Sequence, residues 1–137
     1  MVLYREEIEI ETKEGISITD ITKDIEDVLR KSGIKDGICN IFIPATTAGL
    51  ITNEFDLMLF EDMKRFLSNL VSEKKIYSHP ENAFSHLRSL FTKSDLSIPI
   101  KDGKLVLGTW QRILLMEFDI VPRKRRLIIS VIADSKL

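Results

Sequence analysis

Leu96-Ser97-Ile98-Pro99-Ile100-Lys101-Asp102-Gly103-Lys104-Leu105-Val106-Leu107 is the stretch on which the fold turns. Two short apolar runs flank Asp102-Gly103, and Asp-Gly in that setting marks a tight hairpin whose central residues need positive φ. Downstream, Arg112 to Phe118 and Arg126 to Ala133 read as two more strands. The last third of the chain is therefore a strand meander.

Working back toward the start, Tyr4, Ile8 and Ile10 share one face of an alternating segment ending at Thr12, while Arg5, Glu7, Glu9 and Glu11 share the other. This is the pattern of a half-buried strand, with Glu6 as its one misfit. Ile38 to Ile43, bounded by Gly37 and Pro44, reads as a largely buried strand, and Leu50 to Thr52 adds a short one. Helical spacing links Ile18, Ile21, Ile25, Val28 and Leu29, with Thr19 or Asp20 placed to cap the start and Gly33 to end the helix. Phe60, Met63, Leu67, Leu70 and Val71 define a second, amphipathic helix. Ala83, Leu87, Leu90 and Phe91 sketch a shorter third one, with Asn82 as cap. Helices early and strands late, without regular alternation, predict an α+β fold.

The chain has 137 residues, of which 44% are apolar and 30% charged, a balance that supports one packed domain spanning 1–137. A formal net charge of −1 provides no overall field for a polyanion or an anionic membrane. Cys39 is the single cysteine, which excludes an intrachain disulfide and predicts an inert core thiol. The acidic opening after Met1 and the lack of a long apolar run predict neither signal peptide nor membrane span, and hence a cytoplasmic protein.

No phosphate-cradling glycine loop, dinucleotide fingerprint, paired-histidine metalloprotease motif or nucleophile elbow occurs in the sequence. Three polar sets remain. Thr46, Thr47, Asn53 and Glu54 lie between a strand and a helix, where hydroxyls and amides either hold phosphate oxygens or serve only the turn. Tyr77, His79, Asn82 and His86 include both histidines of the chain, seven positions apart, with Pro80 between them breaking any continuous helix. Gly108-Thr109-Trp110-Gln111 is followed by Glu117, Asp119, Arg123, Arg125 and Arg126; alternation puts Thr109 and Gln111 on one face and Trp110 opposite, in the core or at an interface. The run Arg123 to Arg126 is either a phosphate fork or a solvated basic turn. Nucleic-acid binding is disfavoured, because no basic stripe interleaved with aromatics accompanies it.

Pro44-Ala45-Thr46-Thr47-Ala48-Gly49-Leu50 with Asn53-Glu54, Asn82-Ala83-Phe84-Ser85-His86, and the run from Pro99 through Gly108-Thr109-Trp110-Gln111 together resemble the YjbQ family, the secondary thiamine-phosphate synthase family. Glu117, Pro122, Arg123 and Arg125 extend the resemblance, which covers roughly residues 3 to 133. It implies a single compact domain with a β-sandwich core of mainly antiparallel strands and two to three helices, assembled as a homotrimer with pockets near subunit contacts. The implied activity joins a pyrimidine carried on pyrophosphate to a thiazole phosphate. Such a site needs donors for the leaving pyrophosphate, a task suited to Thr46, Thr47, Arg123 and Arg125. It also calls for a divalent cation, for which Glu54, Asp62 and Glu117 are the candidates. Glu54, His86 and Gln111 are the expected catalytic residues; Thr46, Thr47, Asn53, Arg123 and Arg125 are the expected contacts to a small phosphorylated ligand.

Two positions depart from the family pattern: Ala45 and Phe84 stand where relatives usually carry histidine. Neither side chain can ligate a metal or move a proton, which predicts weakened or altered activity and no tight zinc site. The alternative is a non-catalytic binding or assembly protein that kept the fold and trimer.

Overall fold

Residues 1–135 are described by a computed structural model of the chain. Strand β1 (Val2–Thr12) runs antiparallel to β8 (Arg123–Ala133) in an unbroken register from Val2 opposite Ala133 to Thr12 opposite Arg123. Next to β8 lies β3 (Gly37–Phe42), then β5 (Asp95–Lys101) and the two-residue β6 (Lys104–Leu105), completing a five-stranded sheet in the order β1-β8-β3-β5-β6. Asp102 (φ 52) and Gly103 (φ 75) both take the left-handed conformation that the tight turn between β5 and β6 requires. A three-stranded antiparallel sheet, β2 (Ser17–Asp20), β7 (Arg112–Glu117) and β4 (Ala48–Asn53) in the order β2-β7-β4, faces the first.

Between the sheets sits the main core. Cys39, Ile41, Ile98, Leu127, Ile129 and Val131 enter it from the larger sheet, Leu50, Ile113 and Leu115 from the smaller, and Ile25, Val28 and Leu29 from helix α1 (Thr22–Ser32). Burial pushes the Cys39 thiol up to about 12, so it stays protonated and acts as a small apolar side chain. On the other face of the smaller sheet, Met116 and Phe118 meet Leu67 of helix α2 (Leu57–Leu70). The fold is thus one α+β domain: two antiparallel sheets and three helices, the third being α3 (Ala83–Ser89).

Three local expectations change. Glu6 holds an inward position of β1, where its carboxylate accepts the Tyr4 hydroxyl at 2.7 Å and lies 3.4 Å from Lys31 Nζ; tertiary partners explain the misfit. Ile18 belongs to a strand rather than to the first helix, which begins only at Thr22, because Ser17–Asp20 pairs with β7. Asp20 still serves that start, accepting the Thr22 amide at 2.9 Å, while Arg112 holds its carboxylate at 2.7 Å. Arg123 to Arg126 is no turn but the beginning of β8, so its side chains alternate between the two faces of the sheet. Lys124 and Arg126 then stand opposite Glu11 and Glu9 of β1, which balances the basic run.

Candidate functional site

Period-2 alternation carries the inward face of β7 from Ile113 and Leu115 to Glu117, and that of β8 from Ile129 and Leu127 back to Arg125. At this end of the sandwich the apolar core gives way to a buried ion pair. Arg125 donates from Nε to Glu117 Oε1 at 2.7 Å and from Nη2 to Oε2 at 2.5 Å, a two-point fork. Glu117 is fully buried, and its remaining acceptor capacity takes the Thr12 hydroxyl at 2.6 Å and the Phe118 and Asp119 amides at 3.1 and 3.0 Å. A charge removed from water is tolerable only with this degree of satisfaction.

Thr47 links this pair to a second one. Its hydroxyl accepts from Arg125 Nη2 at 2.8 Å and lies 3.4 Å from Asp119 Oδ2. The buried Asp119 carboxylate binds Arg123 Nε and Nη2 at 2.7 and 2.6 Å and accepts the Ile120 amide at 2.8 Å. Burial acts to raise the Asp119 carboxyl, but the Ile120 amide, Arg123 and the Asn82 side chain together hold it below the usual aspartate range. Arg123 is about half exposed, with a side-chain exposure of 49%, whereas Arg125 is almost enclosed at 12%.

Asn82 carries the cluster on to the histidines. Its Oδ1 lies 3.2 Å from His79 Nε2, so the side chain expected to cap α3 is turned toward the loop instead, and α3 has no side-chain cap. His79 and His86 meet edge to face with ring centroids 5.0 Å apart. With Tyr77, Ser78, Ala83 and Leu87 they line a cleft of about 380 Å³. Buried Arg88 secures this loop by donating Nε and Nη2 to the Val71 carbonyl at 3.2 and 3.0 Å, and its guanidinium lies 5.1 Å from the Phe84 ring. Ser89 Oγ donates to the Thr46 carbonyl at 2.9 Å, docking α3 on the Thr46-Thr47 turn.

The other expected residues lie elsewhere. Ala48 pairs with Glu117 at one end of the smaller sheet and Asn53 with Arg112 at the other, so Thr47 is separated from Asn53 and Glu54 by the length of β4, about 17 Å from Ala48 to Asn53. Gln111 is at the distant end too, where it donates to Thr52 Oγ1 at 3.0 Å and accepts the Gly108 amide at 2.9 Å. Residues 109–110 form a turn rather than a strand, and Trp110 is 72% exposed, outside the core. Within one chain, then, Glu54, His86 and Gln111 do not converge, nor do Glu54 and Gln111 border the arginines. Asp62 is on the exposed side of α2, paired with Arg65. Among the described residues no three His, Cys, Asp or Glu side chains group so as to hold a metal ion, and Glu117 is committed to Arg125. Within one chain these described donors do not form a divalent-cation site.

Sequence reasoning undervalued Thr12, Asp119 and the Glu117–Arg125 fork. The strand alternation that places Ile113 and Leu127 inside also places Glu117 and Arg125 inside, so that signal was present. For Thr12, 105 residues away from Glu117, there was none.

Comparison with known proteins agrees with this architecture. A UPF0047 protein from Methanocaldococcus jannaschii is 39% identical over 128 residues, covering 92% of each chain. Another from Archaeoglobus fulgidus is 37% identical over 129 residues, covering 92% of this chain and 99% of the relative. The crystal structure of a YjbQ/UPF0047 family protein from Clostridium acetobutylicum superposes with a TM-score of 0.87 at 34% identity, covering 93% of this chain and 99% of that one. A YbjQ-like protein from Sulfolobus solfataricus gives a TM-score of 0.85 at 31% identity, covering 95% and 98%. With the family model for UPF0047 protein YjbQ-like matching residues 6–134, the chain belongs to the YjbQ/UPF0047 family.

Proposed function

We propose that this protein is a secondary thiamine-phosphate synthase-like transferase of weakened or altered activity, working as a homotrimer on small phosphorylated ligands. The observation that carries the reading is Arg123, a half-exposed guanidinium on Asp119, whose carboxylate also meets Thr47 and the Asn82 side chain, in a chain that belongs to this family. In the reaction, a thiazole ring nitrogen attacks the pyrimidine methylene carbon. The new C–N bond forms as the C–O bond to pyrophosphate breaks, and pyrophosphate leaves. Arg123 supplies the positive charge for the leaving group, exchanging Asp119 for phosphate oxygens. Arg125 has a different role: its fork is spent on Glu117, so it holds Thr47 in place rather than reaching the ligand.

Exposed Leu57, Met58, Phe66 and Leu70 on α2 support self-assembly, since so much apolar surface on one short helix is unusual for a monomer. Incubating the protein with both phosphorylated precursors and measuring thiamine phosphate tests the activity. Arg123→Ala should weaken binding of the pyrimidine pyrophosphate about tenfold, the effect of losing roughly 1.4 kcal/mol of charge-assisted bonding, and leave binding of the unphosphorylated pyrimidine unchanged. Equal losses for both would sink the assignment of Arg123.

A second reading, a non-catalytic phospho-ligand-binding or assembly protein, is favoured by Ala45 and by Phe84, whose ring supports Arg88 rather than the cleft chemistry. Binding of the precursors without turnover would select it.

A further inference from the structure

Two unfavourable local features meet in the loop before α3. Glu81 takes φ 68, and the Asn82 amide donates to the Pro80 carbonyl at 2.8 Å, so residues 80–82 form a γ-turn of the strained, positive-φ kind. Asn82 occupies the N-cap of α3 yet makes no side-chain cap bond, which leaves the helix start without the stabilisation that asparagine ordinarily supplies there. Strain of this kind persists only where the surroundings over-determine it, and it gathers at binding sites. What the turn fixes is the direction of the Asn82 side chain.

The carboxylate of Asp119 can only accept, so Asn82 meets it with the NH2 of its amide. Oδ1 of the same amide therefore faces His79 Nε2, at 3.2 Å, and Nε2 must carry the proton. In the neutral ring Nδ1 is then an obligate acceptor, its tautomer set by the chain Asp119–Asn82–His79. His79 lines the cleft of about 380 Å³, whose walls at Tyr77, Ala83 and Leu87 are apolar. The Tyr77 hydroxyl is already committed as a donor to the Ser72 carbonyl at 2.7 Å. Apolar walls with one fixed acceptor select a compact ring that brings an N–H.

We propose that this cleft binds a small aromatic ring bearing an exocyclic amino group, whose N–H donates to His79 Nδ1, and that Asn82 is the positioning residue that holds His79 in the accepting tautomer. This rests on the transferase reading above and gives the aminopyrimidine half of that reaction its place. The thiazole half has no N–H to donate, so the same acceptor discriminates against it. A site built to bond an N–H rejects the isostere that lacks it, because the acceptor is left unpaired.

4-Aminopyrimidine and 4-methylpyrimidine have nearly the same shape, differ in the N–H, and carry no phosphate. Titrating each into the whole protein labelled with nitrogen-15 histidine, which has only two imidazoles to resolve, reads affinity and tautomer together by nuclear magnetic resonance. The expected result is His79 protonated at Nε2, a shift of its Nδ1 resonance on binding, and several-fold tighter binding of 4-aminopyrimidine than of the methyl isostere. Asn82→Ser keeps a residue able to cap α3, so the circular dichroism should stay native, while the two His79 tautomers mix and the preference disappears. His79 protonated at Nδ1, equal or absent binding of the two probes, or a preference that survives in Asn82→Ser would overturn the proposal. Thiamine phosphate formed from the two precursors despite equal probe binding would overturn the ring subsite and leave the transferase reading standing. A clear preference without any synthesis would overturn that reading and leave the subsite.

Discussion

Glu117 and Arg125 occupy inward strand positions where the pattern on either side would supply aliphatic residues, so their pairing closes the end of the core with charge instead. Such a pair is strongly destabilising to break and far less so to replace. Glu117→Ala, which leaves the Arg125 guanidinium buried without its carboxylate, should lower unfolding free energy by about 3–5 kcal/mol in urea titration. Replacing both residues by Met should recover most of that loss; an equally large deficit in the double variant would mean the pair stabilises beyond its own desolvation. Asp119 gives the pH dependence. Its folded carboxyl lies below the ordinary value of 3.8, so its contribution is fully present above the unfolded pKa and disappears as pH falls through the lower folded value. Asp119→Asn should therefore flatten the acid limb of stability below about pH 4, measured by thermal unfolding across pH, relative to wild type.

Gly49 shows how closely the elements approach. A Cβ built there would lie 1.7 Å from Thr92 Oγ1 and 2.5 Å from Thr92 Cβ, so β4 can accept the chain leaving α3 only through a bare backbone. The Leu50 amide and carbonyl bond Lys93 at 2.7 and 2.9 Å, which holds that approach in register. Gly49→Ala should destabilise by about 1–3 kcal/mol, the usual range for overpacking, in chemical denaturation. The loop between α2 and α3 depends on a different device. Arg88 pins its first residue through the Val71 carbonyl, and Tyr77 donates to the Ser72 carbonyl at 2.7 Å. Arg88→Met should raise amide hydrogen exchange across residues 72–82 while leaving β7 and β8 protected, which distinguishes local release from global unfolding.

For the whole molecule, α2 is the least integrated part, burying Phe60 and Leu67 while Phe66 stays 61% exposed. If assembly covers this face, Phe66→Glu should shift the mass toward monomer in light scattering while changing monomer stability by no more than about 0.5 kcal/mol. No helix among the described residues is long and apolar enough to cross a membrane. The sequence by itself determined the Asp102-Gly103 hairpin, the alternation of β1, the Gly33 helix end and the existence of the strands β7 and β8. These depend on turn chemistry and on periods of 2 and 3.6, which are local backbone geometry repeated over a few residues. Its failure at Ile18 has the same origin, since a short apolar segment fits both periods until a strand partner decides. Only the tertiary structure decided that Thr12, Thr47, Glu117 and Arg125 meet at one end of the sandwich while Gln111 and Glu54 lie at the other. Strand order and register arise from closing long loops over a common core, and the pairing of β1 with β8 joins residues more than a hundred positions apart. No local window of sequence carries that information.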